Sequence, residues 1–227
     1  MSRICCSRCQ RPKVTCVCRF TSAIHNECLV IFLLHPKEIN QAKGTLPLLV
    51  NSLSNSKVIV GENFSDNAEL NNLLAKYGKS AALLYPSENA ETLPLLSALP
   101  LLPTLQTPSV LSAQAKDEIN IVPVVLCRCL ILLDATWKKA YRMYQLSVNL
   151  HSIKHFSLPP SLIGQYDVRK TKKKNALSTL EACCYALSII EIENTTLAKE
   201  TEDLLTKFVE FNQFQLSFRP KQQRLKK

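Results

Sequence analysis

Short, uninterrupted apolar runs that end abruptly constrain this chain more than any other feature of its sequence. Leu29–Leu34 is a β-branched and aromatic run stopped by His35-Pro36, and Val124–Leu133 stops at Asp134. Because neither run alternates with polar residues, both predict strands that are buried on both faces of a sheet. Three shorter strand signals lie at 57–60, 81–85 and 155–158.

Helical patterns separate these strands. They are strongest where Gly78 supplies a C-cap after residues 69–77 and where Trp137 begins a run of apolar residues at helical spacing. Further helical segments are predicted near 47–53, 179–193 and 198–211. Strands that alternate with helices predict an α/β fold with a mostly parallel sheet and flanking helices. The proline-rich stretch 97–123 has no clean period and favours an extended loop or lid over a degenerate helix.

Composition sets the class of protein. With 227 residues, 46% hydrophobic and 20% charged, the chain can bury a core without disulfides and is unlike a disordered chain. We expect no membrane span, because the longest apolar run is interrupted by Pro123 and Arg128. The first residues lack the apolar stretch of a signal peptide, which predicts a cytoplasmic protein.

The formal net charge of +10 is unevenly distributed. Residues 1–20 hold five basic residues and no acid, residues 138–174 hold nine basic residues and one acid, and the tail 219–227 holds five more basic residues. Clustering of this kind favours a nucleic-acid partner, because every neutralised phosphate releases counterions. A solvated basic face and a frayed basic tail are the structural alternative.

Five of the ten cysteines lie in the first eighteen residues. Four of them predict a structural zinc knuckle over residues 1–24, with the spacing Cys6-x2-Cys9-x6-Cys16-x-Cys18. An iron–sulfur cluster on the same thiolates and a redox or adventitious thiol set are the alternatives. Cys5 is a spare that could replace Cys6 in the first pair.

Candidate site residues follow the predicted strands, where α/β folds bind ligands. Asp134 ends the strongest strand and precedes Thr136 and Trp137. His35 and Glu38 occupy the equivalent place after the first strand. Each has a structural alternative: Asp134 as a helix N-cap, the tryptophan as a core residue and the histidine as an ordinary surface residue.

Two later segments complete the candidate set. Tyr166 and Arg169 open a basic stretch suited to phosphate contacts. Ser178-Thr179-Leu180-Glu181 fits a capping box, and the start of the helix that it caps could also receive a carboxylate or phosphate.

Five motifs occur in order along the chain: the cysteine knuckle, His35-Pro36-x-Glu38, Asp134-x-Thr136-Trp137, Tyr166-x2-Arg169 and residues 177–182. In this combination the chain resembles the DTW-domain family of tRNA-uridine aminocarboxypropyltransferases. The resemblance implies a SPOUT-like, knotted catalytic domain over residues 25–212, followed by a basic tail over 213–227. In place of the Asn-Thr-Gly step of many members, this chain has Ala42-Lys43-Gly44-Thr45.

The family's chemistry moves the 3-amino-3-carboxypropyl group of S-adenosylmethionine to N3 of a tRNA uridine and releases methylthioadenosine. The resemblance therefore implies tRNA as partner and S-adenosylmethionine as co-substrate, and it allows a homodimer, since related knotted folds often pair. The expected metal, Zn²⁺, follows from the spacing of the four cysteines. Asp134 is the candidate general base. The remaining residues of the set are candidates for binding substrate or co-substrate: His35, Glu38, Thr136, Trp137, Tyr166, Arg169, Ser178, Thr179 and Glu181. A SPOUT-class tRNA methyltransferase and a non-catalytic zinc-ribbon RNA-binding protein are the alternatives.

Overall fold

One six-stranded sheet organises the part of the chain that the computed structural model describes, which is residues 4–9, 11–39, 41, 44–94, 127–162, 164 and 177–218. The strands are β1 Leu29–Leu34, β2 Ser56–Val60, β3 Ala81–Leu84, β4 Glu91–Thr92, β5 Cys129–Asp134 and β6 Lys154–Ser157. They lie in the order β2-β1-β5-β3-β6-β4, and each neighbouring pair is parallel. The predicted α/β fold with a mostly parallel sheet is confirmed.

Helices cover both faces of this sheet. They are α1 Leu46–Val50, α2 Ala68–Tyr77, α3 Trp137–Leu146, α4 Thr179–Ile190 and α5 Thr195–Ser217. Side chains of α2 and α3 share one core layer with one face of the sheet, and those of α1, α4 and α5 share a second layer with the other face. Loops at the strand ends therefore stand between two layers of helices, as in other open α/β folds.

The position of β1 between β2 and β5, inside the sheet, explains why its sequence is a continuous apolar run. Val30, Phe32 and Leu34 point into the layer of α1, α4 and α5, while Ile31 and Leu33 point into the layer of α2 and α3. All six residues of β1 are buried. Each fully buried side chain of this size contributes about 1.5–3 kcal/mol, so a polar residue anywhere in β1 would be costly.

Several elements differ in extent from the predicted ones, most of all α5, which spans Thr195–Ser217 where 198–211 was predicted. β5 begins at Cys129 rather than at 124. Arg128 lies in the segment that leads into the strand, at the opposite end of β5 from Asp134. The two-residue strand β4, at the edge of the sheet beside β6, is exposed and has no apolar pattern by which the sequence could signal it. The proline-rich stretch 97–123 lies outside the described residues.

Candidate active site and metal centre

The carboxyl ends of β3, β5 and β6 surround a cavity of about 590 Å³. These strands are neighbours in the sheet and parallel, so their ends and the segments that follow them meet at one edge. The residues that line the cavity are mostly apolar: Leu84, Tyr85, Pro86, Leu132, Leu133, Ala135, Trp137, Ala140, Phe156, Ser157, Leu158, Pro159, Pro160, Leu162, Leu177, Ser178, Thr179 and Ala182. A volume of this size falls in the range of small-ligand pockets.

Two helices that belong to opposite faces of the sheet begin at this cavity. Helix α3 starts at Trp137 after its N-cap residue Thr136, and α4 starts at Thr179 after its N-cap residue Ser178. The exposed N–H groups and the positive end of the dipole of each helix are therefore directed to the same region. Such an arrangement suits an anionic group of a ligand.

Asp134 joins the two helix starts. It is the last residue of β5, lies between the cavity residues Leu133 and Ala135, and its Oδ1 accepts a hydrogen bond of 2.7 Å from Thr179 Oγ1. The N-cap of α3 is Thr136, so the structural alternative for the aspartate does not hold. Trp137 is 42% exposed, which also excludes a core role for it.

The capping box predicted at the start of α4 is confirmed. Ser178 Oγ accepts from the N–H of Glu181, and Glu181 Oε2 accepts from the N–H of Ser178 at 2.7 Å. Glu181 is almost fully buried, so its carboxylate serves the helix start. Since the box engages these two N–H groups, that of Thr179, which lines the cavity, remains at the open end of the helix.

His35 and Glu38 lie in a separate cluster beside α3 and not in the lining of the cavity. The buried carboxylate of Glu38 pairs with Lys139 Nζ at 2.7 Å. His35 Nδ1 accepts from the N–H of Lys37, and its Nε2 lies 3.5 Å from Glu62 Oε1, which also contacts Arg142 Nε at 2.8 Å. These contacts fasten the segments after β1 and β2 to the helix that follows Asp134.

Sequence reasoning missed Glu62, Lys139 and Arg142 as members of this cluster. Glu62 had a usable signal, because it follows β2 by two residues and so lies at the same edge of the sheet as His35. The two basic residues lie three apart on α3 and so share one side of that helix. Tyr166 and Arg169 lie outside the described residues.

The four cysteines predicted to hold a metal come together. The Sγ atoms of Cys6, Cys9, Cys16 and Cys18 lie within 4.8 Å of one another. The Sγ atoms of Cys6 and Cys18 are 3.7 Å apart, as are those of Cys9 and Cys16. These separations are far longer than the roughly 2.05 Å of a disulfide. The cluster can hold a metal ion, and Cys5 lies outside it.

The thiols of this cluster ionise unequally. Hydrogen bonds from the backbone N–H groups of Cys9 and Arg8 lower the pKa of Cys6 to about 6. Burial and the three neighbouring thiols raise the pKa of Cys18 to about 12. Adjacent thiolates repel one another, and a bound cation removes that repulsion because it binds each sulfur as thiolate.

Two arginines attach the cysteine knuckle to the segment that follows β1. Arg8 Nη2 donates to the carbonyl of Asn51 at 2.8 Å, and Arg11 Nη2 donates to the carbonyl of Gly44 at 3.3 Å. The knuckle thus contacts the stretch in which this sequence departs from the usual Asn-Thr-Gly step.

No helix in the described residues is long and apolar enough to span a membrane.

A family model described as the DTW domain matches residues 3–216. The chain belongs to the DTW family. The match includes the cysteine knuckle, the Asp134 strand end and the capped helix α4, so both candidate sites lie inside the DTW domain.

Curated relatives of this DTW protein carry one name, tRNA-uridine aminocarboxypropyltransferase 2. The protein from Macaca fascicularis is 30% identical over 195 residues, and the match covers 83% of this chain and 57% of the relative. The one from Mus musculus is 26% identical over 193 residues with the same coverage, and the one from Drosophila melanogaster is 26% identical over 195 residues and covered to 66%. This chain therefore spans little more than half the length of the first two. No solved structure matches it.

The ion pair between Glu38 and Lys139 is expected to stabilise the DTW domain. Glu38→Gln leaves the ammonium of a residue that is only 30% exposed without its partner, and we expect a loss of about 1–3 kcal/mol. The matched control is Glu69→Gln, which removes an exposed pair of similar length with Lys57 and should cost less than about 1 kcal/mol. Urea unfolding measures both, and equal losses would contradict the prediction.

Proposed function

We propose that this DTW protein transfers the 3-amino-3-carboxypropyl group of S-adenosylmethionine to N3 of a tRNA uridine and releases methylthioadenosine. The observation that carries the proposal is the Asp134 carboxylate, which is not itself among the lining residues but accepts a hydrogen bond from Thr179 Oγ1, a residue that lines the 590 Å³ cavity. The names of the curated relatives support it, since they specify a tRNA uridine and an aminocarboxypropyl group.

In the proposed reaction, a carboxylate takes the proton of the uridine imide. The electron pair left on N3 attacks the carbon by which the 3-amino-3-carboxypropyl group is attached to the sulfonium sulfur. The bond between that carbon and the sulfur breaks, and the sulfur keeps the bonding pair as the neutral thioether of methylthioadenosine. Asp134 is the proposed base, because a carboxylate on a rigid strand end can be placed within hydrogen-bond reach of N3. The rest of the catalysis is orientation of the two substrates.

The cavity offers groups for each part of the co-substrate. The N–H group of Thr179 suits the methionine carboxylate, and the apolar lining of the cavity suits the adenine ring. Glu38 and Glu181 are the proposed partners of the methionine amine, although Glu38 already pairs with Lys139 and Glu181 with the N–H of Ser178 in the capping box.

We propose zinc for the cysteine knuckle. Four sulfurs at about 2.3 Å from a central ion in a tetrahedron lie about 3.8 Å from one another, close to the 3.7 Å of the two measured pairs. An iron–sulfur cluster distributes four thiolates over two or more irons and would hold some of them farther apart. The ion would have a structural role, since all four ligands come from the protein.

The remaining parts of the proposal rest on the family resemblance. They are a SPOUT-like knotted domain over residues 25–212 between the knuckle 1–24 and the tail 213–227, and tRNA backbone contacts by Tyr166, Arg169 and the basic residues near them. A cytoplasmic location stays a prediction from the sequence. His35 and Thr136 remain proposed binding residues, His35 within its cluster beside α3 and Thr136 at the start of that helix.

Product analysis tests the proposed function. The protein is incubated with S-adenosylmethionine and an unmodified tRNA transcript, and the nucleosides and the spent co-substrate are identified by mass spectrometry. We expect 3-(3-amino-3-carboxypropyl)uridine and methylthioadenosine in equal amounts. Methylated uridine with S-adenosylhomocysteine would indicate a methyltransferase instead. Binding of tRNA without calorimetric binding of S-adenosylmethionine would indicate a non-catalytic RNA-binding protein.

A further inference from the structure

Helix α3 presents two large aromatic side chains on one exposed side. Trp137 and Tyr141 are 42% and 58% exposed and lie four residues apart, so both point the same way from the helix. Trp137 also lines the cavity, which places Tyr141 one turn farther along α3. Neither side chain is needed to fill the core, and exposed aromatic groups beside a cavity are typical of a binding surface.

A second row of rings lies behind this surface. Tyr85, which also lines the cavity, stacks on Tyr144 at a centroid distance of 4.9 Å, and Tyr144 contacts His151 at 4.5 Å. Burial raises the pKa of Tyr85, and the hydroxyls of Tyr141 and Tyr144 raise it further. Tyr144 belongs to α3, so this packed pair of rings lies on and beside the helix that presents the two exposed rings.

The charge of α3 suits a polyanion. The helix contains Lys138, Lys139 and Arg142 and no acidic residue. Lys139 is paired with Glu38 and Arg142 with Glu62, but the exposed Lys138 and Arg142 each follow one of the two exposed aromatic residues along the chain. Basic groups interleaved with aromatic rings are the combination by which proteins bind single-stranded nucleic acid.

The chemistry of the proposed reaction also requires an unpaired substrate. N3 of uridine lies on the Watson–Crick edge, so a base-paired uridine cannot offer it to Asp134 without leaving the helix. Four residues of α3 advance by about 6 Å, more than the roughly 3.4 Å between stacked nucleotides of one strand. Two rings at this spacing suit bases that are separated from one another.

We propose that the nucleotides beside the target uridine stack on Trp137 and Tyr141, so that the protein takes its RNA as an unpaired loop laid along α3. The proposal rests on the proposed function and adds the form in which the substrate is bound. The charge of α3 favours RNA over a second copy of this chain, which would meet the same basic residues across a symmetric contact.

Tyr141→Ala is the direct test, because Tyr141 does not line the cavity. Affinity is measured by fluorescence anisotropy at fixed salt with a uridine-containing single strand and with the same strand in a duplex. We expect the wild-type protein to prefer the single strand, Tyr141→Ala to bind it at least about fivefold more weakly, and Tyr141→Phe to stay within about twofold of the wild type. Phe218→Ala, which removes an exposed aromatic ring at the end of α5, should leave the affinity unchanged.

Kinetics separate this proposal from the proposed function. Tyr141→Ala should raise the KM for tRNA with little change in kcat and with calorimetric binding of S-adenosylmethionine unchanged. Equal binding of duplex and single strand, or an unchanged KM, would overturn the stacking surface while the function stands. A change from dimer to monomer with unchanged RNA affinity would overturn it in favour of a homodimer contact. If the wild-type protein makes no modified uridine, the function fails whatever Tyr141 does.

Discussion

Asp134→Asn is expected to lower the rate of transfer by about 100- to 10,000-fold, the range for loss of a general base. Asparagine has the same shape, and its carbonyl oxygen can still accept the hydrogen bond that Thr179 Oγ1 donates at 2.7 Å. It cannot take up the proton of the uridine imide. The fold and the affinity for tRNA should therefore remain nearly unchanged, so the loss should fall on kcat.

The measurement is single-turnover formation of methylthioadenosine, with thermal unfolding and RNA anisotropy on the same samples. Asp66→Asn is the matched control, since it makes the same change at an exposed position before α2 and should keep full activity. Thr179→Val removes the hydrogen bond but leaves the carboxylate, and we expect a smaller loss of about tenfold. Turnover by Asp134→Asn at more than a tenth of the wild-type rate would exclude Asp134 as the base.

The sheet could be predicted because its evidence is local. Each run such as Leu29–Leu34 is apolar along its whole length, and burial on both faces of a parallel sheet requires that pattern. The capping box of Ser178 and Glu181 was predictable for the same reason, since its two partners lie three residues apart. The order of the strands depends on pairing between distant segments, and no local pattern specifies it.

The candidate site was predictable as a set of residues but not as a geometry. Asp134 and Thr179 are each recognisable from their own neighbours, yet their hydrogen bond joins residues 45 positions apart. The segment His35–Glu38 was grouped with them because it also follows a strand, whereas the structure gives it ion-pair partners beside α3. Strand ends predict which edge of the sheet carries a site, but the packing of helices decides which end residues share a cavity.

Loss of the metal is expected to unfold the cysteine knuckle and to loosen the segment that it contacts. The knuckle has little core of its own, because its buried residues Val17 and Phe20 belong to the layer of α4 and α5. Structural zinc supplies about 10–16 kcal/mol to small cysteine-held units, so residues 4–16 should not stay folded without it. The arginine contacts with Gly44 and Asn51 would be lost as well.

Hydrogen exchange before and after chelation measures this local unfolding. We expect residues 4–16 to lose protection fully and residues 44–51 in part, whereas β1 and β5 should stay protected because their core contacts do not involve the metal. Unchanged exchange over residues 44–51 would contradict the coupling between the knuckle and this segment.

Cys6→Ser and Cys5→Ser form a matched pair that tests the assignment of the ligands. The two positions are adjacent, but Cys6 belongs to the group of four sulfurs within 4.8 Å and Cys5 is exposed outside it. Elemental analysis should give one zinc per chain for the wild type and for Cys5→Ser, and a strong loss of zinc together with unfolding of residues 4–16 for Cys6→Ser. Retention of zinc by Cys6→Ser with loss from Cys5→Ser would exchange their roles. Iron and acid-labile sulfide in the purified protein, with no zinc, would overturn the zinc assignment in favour of an iron–sulfur cluster.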